Sequence, residues 1–283
     1  MRWHRSGTAG FREVLGGAEV RGAAAGEKVS EVVGEILRSV RKGGDAALAE
    51  YTRRFDGFDP GRKGFTVPAR EIDVAWRRVP AALRRSLELA AERIEAFHRR
   101  QVEGGFGISL PGATIGQRVL PVARAGVYVP GGKAAYPSTL LMNALPARVA
   151  GVPEVVAACS APGGKVPDVV LAAARIAGVS AVYRIGGAQA IAALAYGTES
   201  VPRVDVISGP GNAYVTEAKR LVFGSVGIDM LAGPSELVVL ADRTANPIYV
   251  AADLLSQAEH DEDAFVALVT NSRELPPLSL IHI

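Results

Sequence analysis

Short runs of β-forming residues alternate with helical stretches through the second half of this chain, and nothing else in the sequence limits the fold as strongly. β-rich runs at 155–158, 181–185, 204–207, 237–240 and 265–269 bracket helical stretches at 167–177, 188–196, 213–223 and 247–259. Strand, turn, helix, strand at this spacing is the pattern of right-handed βαβ units on a parallel sheet. Aromatic residues make up only 6% of the chain, and cores of small aliphatic residues suit helices packed tightly on such a sheet. The units are too many for one small sheet. The pattern therefore predicts an α/β protein with two Rossmann-like lobes of parallel sheet, preceded by N-terminal helices.

The first hundred residues read as those helices. Val29, Val32, Val33, Ile36, Leu37 and Val40 form one apolar stripe, which Gly43 and Gly44 end. Leu83, Leu87, Ala90, Ile94 and Phe97 form a second stripe, and residues 65–67 between the two read as a short strand. These helices read as scaffold or interface, without chemistry of their own. Residues 113–119 and 122–129 read as extended. The expected organisation is residues 1–125 as N-terminal helices and part of a first lobe, 126–233 as a second lobe, and 234–283 as a return to the first. The tail is unusual: strand 265–269 is followed by few residues to cover its second face. The last six or so residues are therefore expected to be a foreign or frame-shifted reading that interrupts a longer protein.

Composition removes several classes of function. A net charge of +3, with arginine pairs at 77–78, 84–85 and 99–100 and no interleaved aromatics, describes solvated helix faces and not a nucleic-acid surface. The one cysteine, Cys159, rules out an internal disulfide framework and fits a reducing compartment; the apolar run before it marks a buried structural thiol. The first residues lead into no apolar signal segment, and no apolar run is long enough to span a bilayer. A cytoplasmic location is expected, with neither nucleic acid nor membrane as partner.

Glycines recur at strand ends, at 131–132, 163–164, 186–187, 209–211 and 233–234. Tight βα turns account for any one of them. Several at one sheet edge point to a nucleotide or another anion, because glycine lets the backbone approach a phosphate beside a helix N-terminus. The segment GPGNAY at 209–214 follows a strand and opens a helix, yet it departs from the dinucleotide fingerprint at the third glycine, which is Tyr214. Tyr214 should hold that helix off the strand. Asp229 lies at a suitable distance along the chain for a ribose contact.

Gln257 and His260, three residues apart, project from one helix face and offer a carbonyl oxygen and an imidazole nitrogen to a zinc ion. A histidine near a helix C-terminus is equally explained by the helix dipole. His4, His98 and His282 show no ligand spacing. A serine hydrolase is poorly supported, because no G-x-S-x-G elbow exists and Ser235 precedes a strand; a P-loop is absent too.

Five segments in order, GVYVPGGK at 126–133, GGAQA at 186–190, SGPGNA at 208–213, IDMLAGPSE at 228–236 and LLSQAEHD at 254–261, resemble histidinol dehydrogenase. The resemblance implies that Tyr128, Gln189 and Asn212 contact NAD. It implies that Ser235, Gln257 and His260 contact substrate, and that Gln257 and His260 are two of the zinc ligands. It further implies a homodimer that oxidises L-histidinol to L-histidine in two NAD-consuming steps. The glutamate–histidine pair that moves protons in that family, and its remaining aspartate and histidine zinc ligands, lie beyond Ile283. No residue here is assigned as catalytic, and His282 is not in a matching context. The short chain by itself is accordingly expected to be inactive. Two other readings stand beside this one: oxidation of another small polar alcohol such as a sulfonated diol, and a non-catalytic NAD- or metal-binding module.

Overall fold

The computed structural model describes residues 8–10, 12, 26–61, 63–131, 135–231, 236–259 and 264–280. It divides into two compact units, residues 1–231 and 232–283. The protein is an α/β fold built on parallel sheets, as the alternating pattern predicts.

In the first unit, five parallel strands stand in the order β5-β4-β3-β6-β7. They are β3 (Arg124–Val129), β4 (Glu154–Cys159), β5 (Ala181–Tyr183), β6 (Val206–Ser208) and β7 (Gly227–Ile228). The helices between them are α4 (Pro137–Val149), α5 (Asp168–Ala177), α6 (Gly187–Tyr196) and α7 (Ala213–Val222). The chain winds outward from β3 through β4 to β5, then crosses back over β3 to lay down β6 and β7. Strand order thus reverses between β3 and β6, where open α/β sheets leave a crevice at the strands' C-terminal ends.

Alternating side chains feed two cores. Val127 and Val129 of β3, with Val155, Ala157 and Cys159 of β4, pack with helices α4 and α5 on one face. Tyr128, Val156 and Ala158 point to the other face, among residues of α6 and α7. Both faces are covered, so the central strands read as continuous apolar runs without polar alternation.

The N-terminal helices complete the two layers. Helix α1 (Gly26–Asp56) buries Val33, Ile36, Leu37 and Val40 on the α6–α7 face, while Val32 of the predicted stripe is exposed. The predicted stop at Gly43–Gly44 is a break between two helical segments. Gly44 has φ 54° and ψ −137°, and the helix resumes and runs to Asp56. Helices α2 (Ala69–Arg78) and α3 (Ala81–His98) cover the α4–α5 face. Leu87 of the second stripe is buried, but Leu83 and Phe97 are exposed. Helices α1 to α3 thus lie against the helices that flank this sheet.

Residues 65–67 lie along the β5 edge, where Val67 N–H donates to the Val182 carbonyl and Arg184 N–H to the Phe65 carbonyl, both at 2.8 Å. This short pairing shields a strand edge that would otherwise stay open. The extended segment predicted over 113–119 is one arm of an antiparallel hairpin, β1 (Phe106–Leu110) with β2 (Ala113–Gln117), and every residue of both strands is exposed.

The second unit is one βαβ unit with a short added helix: β8 (Glu236–Ala241), α8 (Pro247–Ala258), β9 (Phe265–Thr270) and α9 (Leu275–Leu280). The strands pair in parallel from Glu236 opposite Phe265 to Ala241 opposite Thr270. Asn246 caps α8 by accepting the Ile248 N–H at 2.9 Å, with Pro247 in the first turn. Val250, Leu254 and Leu275 form its small core. Leu275 of α9 joins the core that α8 forms on one face of these strands, while Val238, Leu240 and Val269 on the other face are exposed; residues 281–283 lie outside the described residues. Among the described residues, no helix is long and apolar enough to cross a membrane.

Candidate functional site

The C-terminal ends of β3 and β6 are joined by the loop that follows β6. Gly209 has φ 118°, and a Cβ there would lie 2.1 Å from the Tyr128 carbonyl oxygen, so only glycine allows the loop this close to the end of β3. The loop is gripped from its own side as well. Gly209 N–H donates to Asp229 Oδ2 at 2.8 Å and Lys219 Nζ donates to the Gly209 carbonyl at 3.0 Å. Lys219 also pairs with Asp229 Oδ1, which accepts the Met230 N–H at 2.6 Å. The Asp229 carboxylate is thus engaged by protein donors, and it holds the loop in place of the ribose contact expected for it.

Asn212 follows on this loop and caps α7, its Oδ1 accepting the Val215 N–H at 3.1 Å. That leaves the side-chain amide nitrogen as the donor Asn212 can offer outward. Tyr214, expected to hold α7 off the strand, is 45% exposed, whereas Val215 is fully buried. The helix turns a valine to the sheet and carries the tyrosine ring on its outer side, so the missing third glycine does not prevent packing.

Tyr128 joins this loop to the next one. Its carbonyl abuts Gly209, and its hydroxyl accepts the Gly187 N–H at 3.0 Å at the start of α6. Burial pushes this phenol up to about 12. Two residues on, Gln189 is 1% exposed, and neither atom of its amide has a partner among the described residues. Tyr128, Gln189 and Asn212 therefore lie on the C-terminal edge of one sheet, on segments that meet at Tyr128.

Sequence reasoning missed a fourth polar residue here. Asp56 ends helix α1, is 8% exposed, and accepts the Ser160 hydroxyl at 3.4 Å on Oδ1. Its Oδ2 is buried without a partner among the described residues. Desolvation raises its pKa above the ordinary carboxylate value, against the smaller opposing effect of hydrogen bonding. The available signal was its position. An acid at the last residue of a helix sits where the dipole disfavours an anion, two residues after Arg54, whose charge suits that end. Cys159, at the end of β4, is 2% exposed, and burial pushes its thiol up to about 12, as befits a structural cysteine.

In the second unit Gln257 lies in the last turn of α8, with its Nε2 buried and without a hydrogen-bond partner among the described residues. Ser235 and His260 lie outside the described residues, as do Gly132 and the glycine loop at 233–234. Among the described residues no group of three or more His, Cys, Asp or Glu side chains is gathered for a metal ion.

The family model for histidinol dehydrogenase matches residues 20–277. The chain belongs to the histidinol dehydrogenase family. It is 54% identical over 265 residues to the histidinol dehydrogenase of Syntrophotalea carbinolica, covering 93% of this chain and 62% of that protein. Identity to the enzyme of Parasynechococcus marenigrum is 59% over 248 residues, covering 85% of this chain and 55% of the relative. The crystal structure of histidinol dehydrogenase from Elizabethkingia anophelis superposes with a TM-score of 0.82 at 38% identity, over 89% of this chain and 58% of that one. This chain thus spans well under two thirds of the length of the histidinol dehydrogenases it matches.

Proposed function

We propose that this chain is the NAD-binding portion, and part of the zinc- and substrate-binding portion, of an enzyme that oxidises L-histidinol to L-histidine in two successive NAD-dependent steps of histidine biosynthesis. One observation carries the reading. Tyr128, Gln189 and Asn212 share the C-terminal sheet edge beside the β3–β6 reversal, and Gln189 is buried there with both amide atoms unpartnered. A buried amide without partners costs stability unless a ligand supplies them. Family membership supports the same assignment.

Within this reading, residues 126–233 carry the nucleotide loops and residues 234–283 open the substrate lobe. Ser235, Gln257 and His260 contact histidinol, and Gln257 and His260 are two of the zinc ligands. Gln257 fits that role, since its carbonyl is a neutral oxygen donor and its amide nitrogen has no partner among the described residues. Zinc, when bound, orients the substrate through the imidazole and amino nitrogens. The enzyme works as a homodimer in the cytoplasm, and the residues that move protons lie beyond Ile283.

The test compares this chain with the same chain extended to the relatives' full length. NAD titrated calorimetrically should bind both, and histidinol should yield NADH only with the extended chain. Turnover by the short chain, or a preference of the extended chain for a sulfonated diol in a substrate panel, would overturn the assignment. Replacing His260 with alanine in the extended chain should abolish zinc uptake.

A further inference from the structure

We propose that Asp56 is the residue that receives the adenosine ribose of the dinucleotide, its carboxylate accepting hydrogen bonds from the vicinal hydroxyls. The inference rests on the NAD-binding reading above and adds to it a residue from a helix that otherwise looks like scaffold.

In dinucleotide-binding βαβ units an acidic side chain reached after the second strand takes the ribose diol, because a carboxylate accepts two hydroxyl hydrogens at once. Here the first and second strands of the winding are β3 and β4. The stretch after β4, SAPGGK at 160–165, contains no acid. The position is not left without one in space. Ser160, the first residue beyond β4, donates to Asp56, which arrives from the end of α1, a separation of 104 residues along the chain.

Three further observations make this a prepared site and not a buried accident. Asp56 Oδ2 has no partner among the described residues although the residue is over nine-tenths buried. Gln189, equally unpartnered among them, folds back so that a Cβ on Gly187 would lie 2.7 Å from its Oε1. Ser160, which donates to Asp56, lies against Gly186, where a Cβ would be 2.7 Å from its Oγ, so Asp56 and Gln189 border the same Gly186–Gly187 turn. The unpaired acceptor of Asp56 and the unpaired donor and acceptor of Gln189 thus surround one turn at the sheet's C-terminal edge. A ligand offering hydroxyls to Asp56 and polar groups to Gln189 satisfies all of them. Asp56 also sets specificity. A ribose 2′-phosphate would place a second negative charge against a buried carboxylate, so NADP is disfavoured.

The experiment titrates this chain by calorimetry with NAD, with NADP, and with an NAD analogue whose adenosine ribose lacks both hydroxyls. The unaltered chain should bind NAD about tenfold to a hundredfold more tightly than the dideoxy analogue, the range expected for hydrogen bonds to a charged acceptor. Asp56→Asn should lower NAD affinity toward that of the analogue, leave the analogue's own affinity unchanged and narrow the preference for NAD over NADP. Equal binding of NAD and the analogue by the unaltered chain would overturn the role of Asp56 while leaving NAD binding intact. That comparison needs no variant to fold. Full discrimination retained in Asp56→Asn would also overturn it. No uptake of NAD by the unaltered chain would overturn both this inference and the NAD-binding reading, whereas loss of NAD and analogue alike in Asn212→Ala bears on the wider site alone.

Discussion

Lys219 and Asp229 hold the peptide units of Gly209 from both sides, the ammonium on its carbonyl at 3.0 Å and the carboxylate on its N–H at 2.8 Å, while pairing with each other. The side chain of Lys219 is 3% exposed and that of Asp229 is 31% exposed, so the two partners are not equivalent. Removing the carboxylate strands a charge that water cannot reach. Removing the amine leaves an acid that water partly reaches. Asp229→Asn should therefore cost about 3 kcal/mol in denaturant unfolding, and Lys219→Met clearly less. Both should weaken NAD binding by loosening the loop that carries Asn212. Equal costs for the two variants would contradict the asymmetry.

Asp56 makes stability depend on pH in an unusual direction. Its pKa is raised in the folded state by desolvation, so between the ordinary carboxylate value and the raised one the folded chain holds more protons than the unfolded chain. Stability from this group is full below that window and falls as pH climbs through it, opposite to a carboxylate in a salt bridge. Unfolding measured from pH 4 upward should show a decline that Asp56→Asn, uncharged throughout, flattens.

Gly44 is the only residue type compatible with the break in α1. Its φ of 54° is strained for any L side chain, and a Cβ would lie 2.4 Å from the Glu199 carboxylate, which accepts the Asp45 N–H at 2.7 Å. Gly44→Ala should destabilise the chain by about 1–3 kcal/mol in chemical denaturation. A neutral result would mean that the two helical segments do not meet in this conformation.

Tyr128→Phe removes the acceptor of the Gly187 N–H at the start of α6 while preserving the ring in its core. Leaving that half-buried amide without its partner should cost about 1 kcal/mol, read from the denaturation midpoint. Amide exchange at Gly187 should quicken as well. Unchanged exchange would show that the hydroxyl is not its partner.

Much of this molecule could be read from local pattern. The strands β3, β4, β5, β6, β8 and β9 and the helices α5 to α8 fall where apolar runs and turn residues alternate, because short βα loops and right-handed crossovers leave few other ways to bury such segments. The glycine loops marked the turns at the C-terminal edge of the sheet. The motifs around Tyr128, Gln189 and Asn212 carried the family resemblance, since they stand within short ordered segments.

Other features depended on contacts between distant parts of the chain. Periodicity shows that a helix has an apolar face but not which surface receives it, so the packing of α1 to α3 on both faces of the sheet was not legible. The same holds for the exposed β1–β2 hairpin, whose partner strand lay in a stretch without clear pattern. Asp229 looked like a ribose acid by its position in sequence, until the buried ammonium of Lys219 proved to be its partner. Asp56 looked like an ordinary helix-end residue until packing of α1 carried it to Ser160. Sequence determined most of the elements and the order in which strands and helices alternate. Tertiary structure decided which carboxylate is consumed in holding a loop and which is left with an acceptor to offer, because a side chain's unmet hydrogen bonds exist only once its neighbours are in place.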